Sequence, residues 1–154
     1  MVLVIGISGP STSGKTTIAN SLMKEFNCKS ICVDQYFRSG RALPTIYVRG
    51  KLISNKDCHE SVNWDMFVND IKAKIAELEA KESDGILIIE GFLLFGAAEI
   101  NEIVDVLITL EFDFDHDEEE ARNRRVNRTV DYLKRRNESE VRIQSIAEST
   151  AFYF

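Results

Sequence analysis

The sequence predicts an α/β fold built on a mostly parallel β-sheet, and three observations support this prediction. Short apolar runs at residues 2–7, 85–90 and 104–110 have the composition of strands buried on both faces, which occur in parallel sheets. Segments between these runs carry apolar residues at helical spacing. A glycine-rich turn joins the first run directly to the first helical segment. Strands that alternate with helices in this way indicate βαβ units with right-handed crossovers.

The first half of the chain predicts two strands, a helix and a long loop region. After the strand at residues 2–7, residues 16–26 carry Ile18, Leu22 and Phe26 on one face of a helix. Residues 30–34 (SICVD) predict a second strand that ends at Asp34. Residues 35–62 are polar and mixed, and we expect a functional loop region there, with a small hairpin over residues 45–54.

A second amphipathic helix is predicted from residue 63 to about residue 81. Asn63 is a suitable N-cap, and the apolar stripe consists of Phe67, Ile71, Ile75 and Leu78. This helix precedes the clearest buried strand, residues 85–90 (GILIIE). The strand at residues 104–110 follows.

Composition limits the class of protein. The 154 residues have room for one domain, which covers residues 1–154. The composition, with 44% hydrophobic and 29% charged residues, excludes the disordered and fibrous classes of protein. No apolar stretch approaches the roughly 20 residues of a membrane span, and no basic leader precedes the first strand. A net charge of −6 argues against a general nucleic-acid binder. Three cysteines without a pairing framework favour a cytoplasmic location, and two histidines cannot complete a zinc site.

The strongest motif is the segment GPSTSGKT, a full match to G-x-x-x-x-G-K-[ST] between a predicted strand and a predicted helix. Backbone N–H groups of such a loop surround phosphates at the positive end of the helix. The lysine, Lys15, contacts the β- and γ-phosphates, and the hydroxyl of Thr16 can ligate Mg²⁺. The sequence therefore predicts a nucleoside triphosphate site formed by Gly9, Pro10, Ser11, Thr12, Ser13, Gly14, Lys15 and Thr16.

Two carboxylates follow predicted strands. Asp34 lies at the carboxyl edge of the sheet, where it can accept a proton from an attacking hydroxyl, help hold Mg²⁺, or simply cap the strand. Glu90 ends a strand that is otherwise apolar, and a buried charge there requires a partner such as Mg²⁺. Capping of the Gly91 turn is the alternative role for Glu90.

Charge is unevenly spread in the last third of the chain. Residues 111–120 contain seven acidic and no basic residues, whereas residues 122–136 contain seven basic residues and one acidic residue. We expect arginines here to neutralise a triphosphate, with a surface of local ion pairs as the alternative. Among the aromatic residues, Trp64 and Phe67 are expected to pack in the core, and Tyr36 is expected to stack on a planar base.

These strings together resemble the nicotinamide riboside kinases, relatives of uridine kinase among the P-loop kinases. The resemblance covers residues 2–130 and rests on GISGPSTSGKTT, CVDQYF, DCHESVNWDMFVNDI, ILIIEGFLLF and EEARNRRVNR. It implies a three-layer P-loop NTPase fold of the nucleoside kinase type. It also implies a substrate-binding loop region over residues 35–62 and an arginine-rich lid over residues 117–136.

The resemblance further implies ATP and Mg²⁺ as cofactors and a nucleoside as the small-molecule substrate. Lys15 and Asp34 would be catalytic, with Asp34 as the base toward the ribosyl 5′-hydroxyl. The ATP site would extend from Gly9 to Thr17, and Arg124 and Arg128 would contact ATP phosphates. Thr16 and Asp34 would hold Mg²⁺, joined by Glu90, whose buried strand end already calls for such a partner. The residues assigned to the substrate are Asp34, Gln35, Tyr36, Phe37, Lys56, Asp57 and Arg125.

The chain departs from the family pattern at three places. Lys56 stands where the family has an aromatic residue before the carboxylate matched to Asp57, and Val130 replaces another aromatic residue. The family's final strand and helix are not recognisable in residues 131–154, so the tail at 137–154 is atypical and the last strand is expected to be missing.

The expected activity is phosphorylation of nicotinamide riboside to nicotinamide mononucleotide, a step of NAD salvage. Two alternatives remain open: a uridine or cytidine kinase, and a shortened, non-catalytic derivative that binds nucleotide or a partner.

Overall fold

The computed structural model describes residues 1–48, 50–81, 85–111 and 114–135, which divide into two compact units. The first unit comprises Met1–Gly9 and Gly14–Leu110. The second comprises Pro10–Ser13 together with the chain from Glu111 onward. The tail predicted at residues 137–154 lies outside the described residues.

The described elements alternate between strands and helices as the sequence predicts. The strands are β1 (Val2–Ser8), β2 (Lys29–Cys32), β3 (Thr45–Val48), β4 (Lys51–Ser54), β5 (Gly85–Gly91) and β6 (Val106–Thr109). The helices are α1 (Lys15–Phe26), α2 (Trp64–Glu79), α3 (Ala98–Ile103) and α4 (Phe114–Arg135). Of these, only α4 belongs to the second unit.

A four-stranded sheet in the order β2-β5-β1-β6 forms the centre of the first unit, and each of its three pairings is parallel. This confirms the predicted α/β fold with a parallel sheet. Strands β3 and β4 form a separate antiparallel hairpin, also as predicted. The strands at the centre of the sheet, β1 and β5, are the two longest of the described strands, with 7 residues each.

Helices cover both faces of the sheet in the first unit, which gives three layers. On one face, Phe67 and Ile71 of α2 and Ile100 of α3 pack against β1 and β5 and are fully buried. On the other face, α1 packs Ala19 against Ile7 and its neighbours. Each fully buried aliphatic or aromatic side chain contributes roughly 1.5–3 kcal/mol to folding. The apolar stripes read from the sequence are therefore the surfaces that join the layers.

Helix α2 begins where the sequence predicts. The side chain of Asn63 accepts a hydrogen bond from the backbone N–H of Met66 at 3.4 Å, which satisfies one of the free donors of the first turn. The helix ends at Glu79, close to the predicted end.

Three predicted boundaries differ from the structure. Strand β2 ends at Cys32, and Asp34 belongs to a 3₁₀ turn, Val33–Tyr36, that follows it. Strand β6 is shorter than predicted because Val104 caps α3 and the Asp105 carboxylate accepts a hydrogen bond from the N–H of Val4 at 2.8 Å. Helix α4 begins three residues before the predicted lid.

Within the described ranges, no helix combines the length and the apolar character needed to cross a bilayer.

Candidate active site

The predicted phosphate-binding turn leaves β1 at Ser8 and enters α1 at Lys15. Gly14 has φ +97°, a backbone conformation that side chains with a Cβ rarely adopt. A Cβ placed on Gly14 would meet no atom within 4 Å, so the space beside this residue is open. The backbone at the start of α1 is thus shaped as a loop that can approach a ligand closely.

The N-terminus of α1 is suited to an anion. Gly14 is its N-cap and provides no side-chain hydrogen bond, and the first turn contains no acidic residue. The first N–H groups of a helix have no partner within the helix and lie at the positive end of its dipole. In the second unit, the buried hydroxyl oxygen of Ser13 has no hydrogen-bond partner among the described residues. The N-terminus of α1 therefore fits a phosphate group.

Behind the turn, α1 is joined to the end of β5. The Thr16 hydroxyl donates a hydrogen bond to the carboxylate of Glu90 at 3.1 Å. Glu90 is only 4% exposed, and in the sheet it lies between Ile7 of β1 and Cys32 of β2. The Ser8 hydroxyl also donates to the carbonyl oxygen of Gly91 at 3.2 Å. The end of β5 therefore contacts both Ser8, where the turn starts, and Thr16, in the first turn of α1.

Cys32, at the end of β2, lies close to both predicted carboxylates. Burial, and to a smaller extent the negative charges of Glu90 and Asp34, raise the pKa of the Cys32 thiol to about 11. A hydrogen bond with the backbone of Asp34 acts in the opposite direction. Cys32 is paired with Glu90 in the sheet and Asp34 follows Cys32 by two residues, so both carboxylates lie at the same edge of the sheet.

Asp34 projects from the 3₁₀ turn after β2. In this turn, Asp34 and Gln35 are exposed, whereas Val33 and Tyr36 are buried. Val33 packs directly against Gly91, where an added Cβ would come within 2.5 Å of the Val33 Cβ. A glycine is required at position 91 by this close approach. The contact fixes the turn next to Glu90.

The expectation that Tyr36 stacks on a substrate base does not agree with its position. Its ring is 9% exposed and lies edge-on to Phe67, with ring centroids 5.0 Å apart. Its hydroxyl donates a hydrogen bond to Asp70 at 2.8 Å. Tyr36 is thus part of the core together with Trp64 and Phe67, and the core role expected for those two residues is confirmed.

Two of the segments assigned to the substrate are neighbours in the structure. Phe37 forms a β-bridge with Val62, and the Lys56 ammonium lies 5.4 Å from the centre of the Phe37 ring. This distance is within the range of a cation–π interaction. Asp57 is exposed, and its backbone N–H donates to the Asn55 side chain at 3.0 Å. Lys56 and Asp57 therefore lie on a loop that passes Phe37.

The arginines lie on α4 in the second unit. Arg124 forms an ion pair with Glu120 one helical turn earlier, and Arg128 is exposed. Arg125 is half-buried. The ion pair is the alternative that the sequence left open for this cluster, and the binding of phosphate by Arg124 and Arg128 remains a prediction.

The donor set near Thr16 fits Mg²⁺ in its chemistry. A carboxylate and a hydroxyl are the oxygen ligands that this ion prefers, and it commonly completes its shell with water and substrate phosphates. Among the described residues, no three His, Cys, Asp or Glu side chains form a metal-binding cluster. Thr16 and Glu90, with Asp34 nearby, would therefore supply only part of a coordination shell.

Sequence reasoning did not identify Asp70, or the contact between Gly91 and Val33. Asp70 is one of several acidic residues on the exposed side of α2, so no local pattern distinguishes it. Gly91 does have a local signal, since a glycine directly after a buried acidic strand end suggests a close approach of another segment.

Comparison with known proteins identifies kinases as relatives. Uridine kinase of Leuconostoc citreum is 27% identical over 136 residues, which is 73% of this chain and 63% of that protein. Nicotinamide riboside kinase 1 of Homo sapiens is 34% identical over 110 residues, or 65% and 54% of the two chains. Nicotinamide riboside kinase 2 of Mus musculus is 29% identical over 142 residues, or 84% and 69%. No family model matches the chain.

These homologues confirm the predicted resemblance to nicotinamide riboside kinases and uridine kinases, and the fold is that of the P-loop NTPases. The chain spans 63% and 54% of the length of the first two relatives.

Proposed function

We propose that this chain is a nucleoside kinase that uses ATP and Mg²⁺ to phosphorylate a ribosyl 5′-hydroxyl, with nicotinamide riboside as its first candidate substrate. The observation that carries the proposal is the hydrogen bond from Thr16, in the first turn of α1, to buried Glu90 at the end of β5. The names of the relatives, nicotinamide riboside kinase and uridine kinase, support the same reaction class.

In the proposed reaction, the substrate oxygen attacks the γ-phosphorus of ATP, and the bond from that phosphorus to the β,γ-bridging oxygen breaks to release ADP. Asp34 accepts the hydroxyl proton, because its exposed carboxylate lies at the same edge of the sheet as Glu90. Lys15 places positive charge on the β- and γ-phosphates. Thr16, Asp34 and Glu90 would hold Mg²⁺, which would supply positive charge to neutralise the phosphates. Positioning and charge stabilisation supply most of the catalysis in such a reaction.

Substrate contacts in this proposal come from the segments around Phe37 and Lys56. Gln35 is exposed beside Asp34, and Asp57 is exposed on the neighbouring loop. A carboxylate such as that of Asp57 can accept hydrogen bonds from both vicinal hydroxyls of a ribose. Arg124 and Arg128 contact the ATP phosphates, and Arg125 contacts the substrate.

A pyrimidine ribonucleoside is the second candidate substrate, and the position of Lys56 favours it. The Lys56 ammonium occupies a face of the Phe37 ring, and a second positive charge close by would be repelled. Nicotinamide riboside carries a cationic pyridinium ring, whereas uridine and cytidine are neutral. One of the relatives is a uridine kinase, in line with this second candidate.

Mass measurement of the products tests the proposal. The chain is incubated with Mg-ATP and one nucleoside in each of three separate reactions. The three nucleosides are nicotinamide riboside, uridine and cytidine. We expect a product heavier than its nucleoside by one phosphoryl group in at least one reaction. Binding of ATP without product from any nucleoside would instead support the non-catalytic alternative.

A further inference from the structure

We infer that Asp70 is a positioning residue that acts through Tyr36 to hold the 3₁₀ turn Val33–Tyr36 in place. This turn presents Asp34 and Gln35, so the inference rests on the proposed function. In the inference, the effect of Asp70 is carried by the hydrogen bond that its carboxylate accepts from the Tyr36 hydroxyl.

Three contacts tie the end of the turn to α2. The Tyr36 hydroxyl donates to Asp70 at 2.8 Å, and its ring packs edge-on against Phe67. The Tyr36 carbonyl oxygen accepts a hydrogen bond from the N–H of Asn63 at 2.9 Å. Of these three contacts, the hydrogen bond to Asp70 is the one that joins two polar side-chain groups.

The beginning of the turn is fixed separately. Val33 is 1% exposed and packs against Gly91 of β5 at a distance that leaves no space for a Cβ. Asp34 and Gln35 are therefore held between an anchor on the sheet and an anchor on α2. An anchored backbone keeps a catalytic carboxylate in one orientation, and small displacements of such groups reduce rates strongly.

Asp70 is a suitable position for a test because its side chain is exposed. Replacing it removes the acceptor for Tyr36 without leaving a cavity in the core. Asp70→Asn keeps a side-chain oxygen at the same position and serves as the conservative variant. Glu79→Ala is the matched control, since Glu79 is an exposed acidic residue of the same helix.

The experiment compares steady-state kinetics of the full chain with hydrogen–deuterium exchange of residues 33–37 in the absence of substrates. We expect Asp70→Ala to lower kcat by about tenfold or more with an unchanged KM for ATP, and to speed exchange in this segment. Asp70→Asn and Glu79→Ala should behave like the unsubstituted chain. Tyr36→Phe should resemble Asp70→Ala, and the double variant should be no worse than either.

Three results would overturn the inference. Asp70→Ala could leave the exchange rate of residues 33–37 unchanged, or it could speed this exchange while kcat stays unchanged. The third result is a kcat for Asp70→Asn that falls as it does for Asp70→Ala. If the unsubstituted chain phosphorylates no nucleoside, the proposed function fails. The exchange measurement then decides by itself whether Asp70 holds the turn.

Discussion

The hydroxyl of Thr16 donates a hydrogen bond to the carboxylate of Glu90 across 3.1 Å, which links the first turn of α1 to the end of β5. This bond stabilises a carboxylate that is almost fully buried and would be costly without a partner. It also uses the single hydroxyl proton of Thr16, so the lone pairs of that oxygen stay available to a cation.

Replacement of Thr16 by valine tests this relationship. The valine keeps the shape but removes the donor, which leaves Glu90 buried without this hydrogen bond. We expect the free energy of unfolding to fall by about 1–3 kcal/mol, measured by denaturant titration, and the Mg²⁺-dependent rate to be lost. Thr16→Ser retains the hydroxyl and should preserve both properties. Equal stability of the valine and serine variants would contradict the role assigned to the bond.

Gly91→Ala tests the close packing that fixes the turn carrying Asp34. The new Cβ would come within 2.5 Å of Val33, so the backbone must move. We expect a loss of about 1–3 kcal/mol in the free energy of unfolding, together with reduced kcat. Gly85→Ala is the matched control in the same strand, because a Cβ there meets its nearest neighbour at 3.4 Å. Similar losses for the two variants would argue against a special contact at position 91.

Separate substitutions of Arg124, Arg128 and Glu120 distinguish phosphate binding from local ion pairing on α4. If the arginines bind ATP, Arg124→Ala and Arg128→Ala each raise the KM for ATP or lower kcat, whereas Glu120→Ala leaves both unchanged. If Arg124 serves only its ion pair with Glu120, the Arg124→Ala and Glu120→Ala variants behave alike. Exposed pairs of this kind contribute at most about 1 kcal/mol to stability.

The hydrogen-bonded Tyr36 hydroxyl predicts a loss of stability at alkaline pH. Burial, the hydrogen bond to Asp70 and the charge of Asp70 raise the pKa of Tyr36 from 10.0 to about 12. The folded chain thus binds this proton more tightly than the unfolded chain does. The resulting contribution is complete below pH 10 and is lost as the pH rises toward 12. Denaturant titrations across this pH interval should show that the free energy of unfolding falls more steeply with pH for the unsubstituted chain than for Tyr36→Phe. The same pH dependence in both proteins would contradict the prediction.

Local sequence patterns were sufficient for much of the fold. The apolar runs of β1 and β5, the stripe of α2 and the cap at Asn63 all reflect interactions within one element or with a uniformly apolar layer. The glycine-rich motif likewise specifies its own backbone shape. In each of these cases, residues close in sequence determine the outcome.

The parts that sequence did not predict depend on contacts between distant segments. Tyr36 and Asp70 are 34 residues apart, and no pattern near Tyr36 indicates that its ring is buried against α2 rather than offered to a substrate. The early end of β2 similarly depends on where Val33 meets Gly91. The positions of Glu90 and Asp34 at the carboxyl edge of the sheet were accessible from the sequence, whereas the anchoring of the turn that carries Asp34 was not.

The central claim is that this chain transfers a phosphoryl group from ATP to a nucleoside, and mass measurement of products from the nucleoside panel tests it most directly. We predict a nucleoside monophosphate from nicotinamide riboside or from a pyrimidine nucleoside. Asp34→Ala should abolish its formation, since general-base catalysis alone contributes about 10²–10⁴-fold to the rate. Lys15→Ala should abolish it because the positive charge on the β- and γ-phosphates is lost. No monophosphate from any nucleoside, or near-normal turnover by Asp34→Ala, would contradict the account.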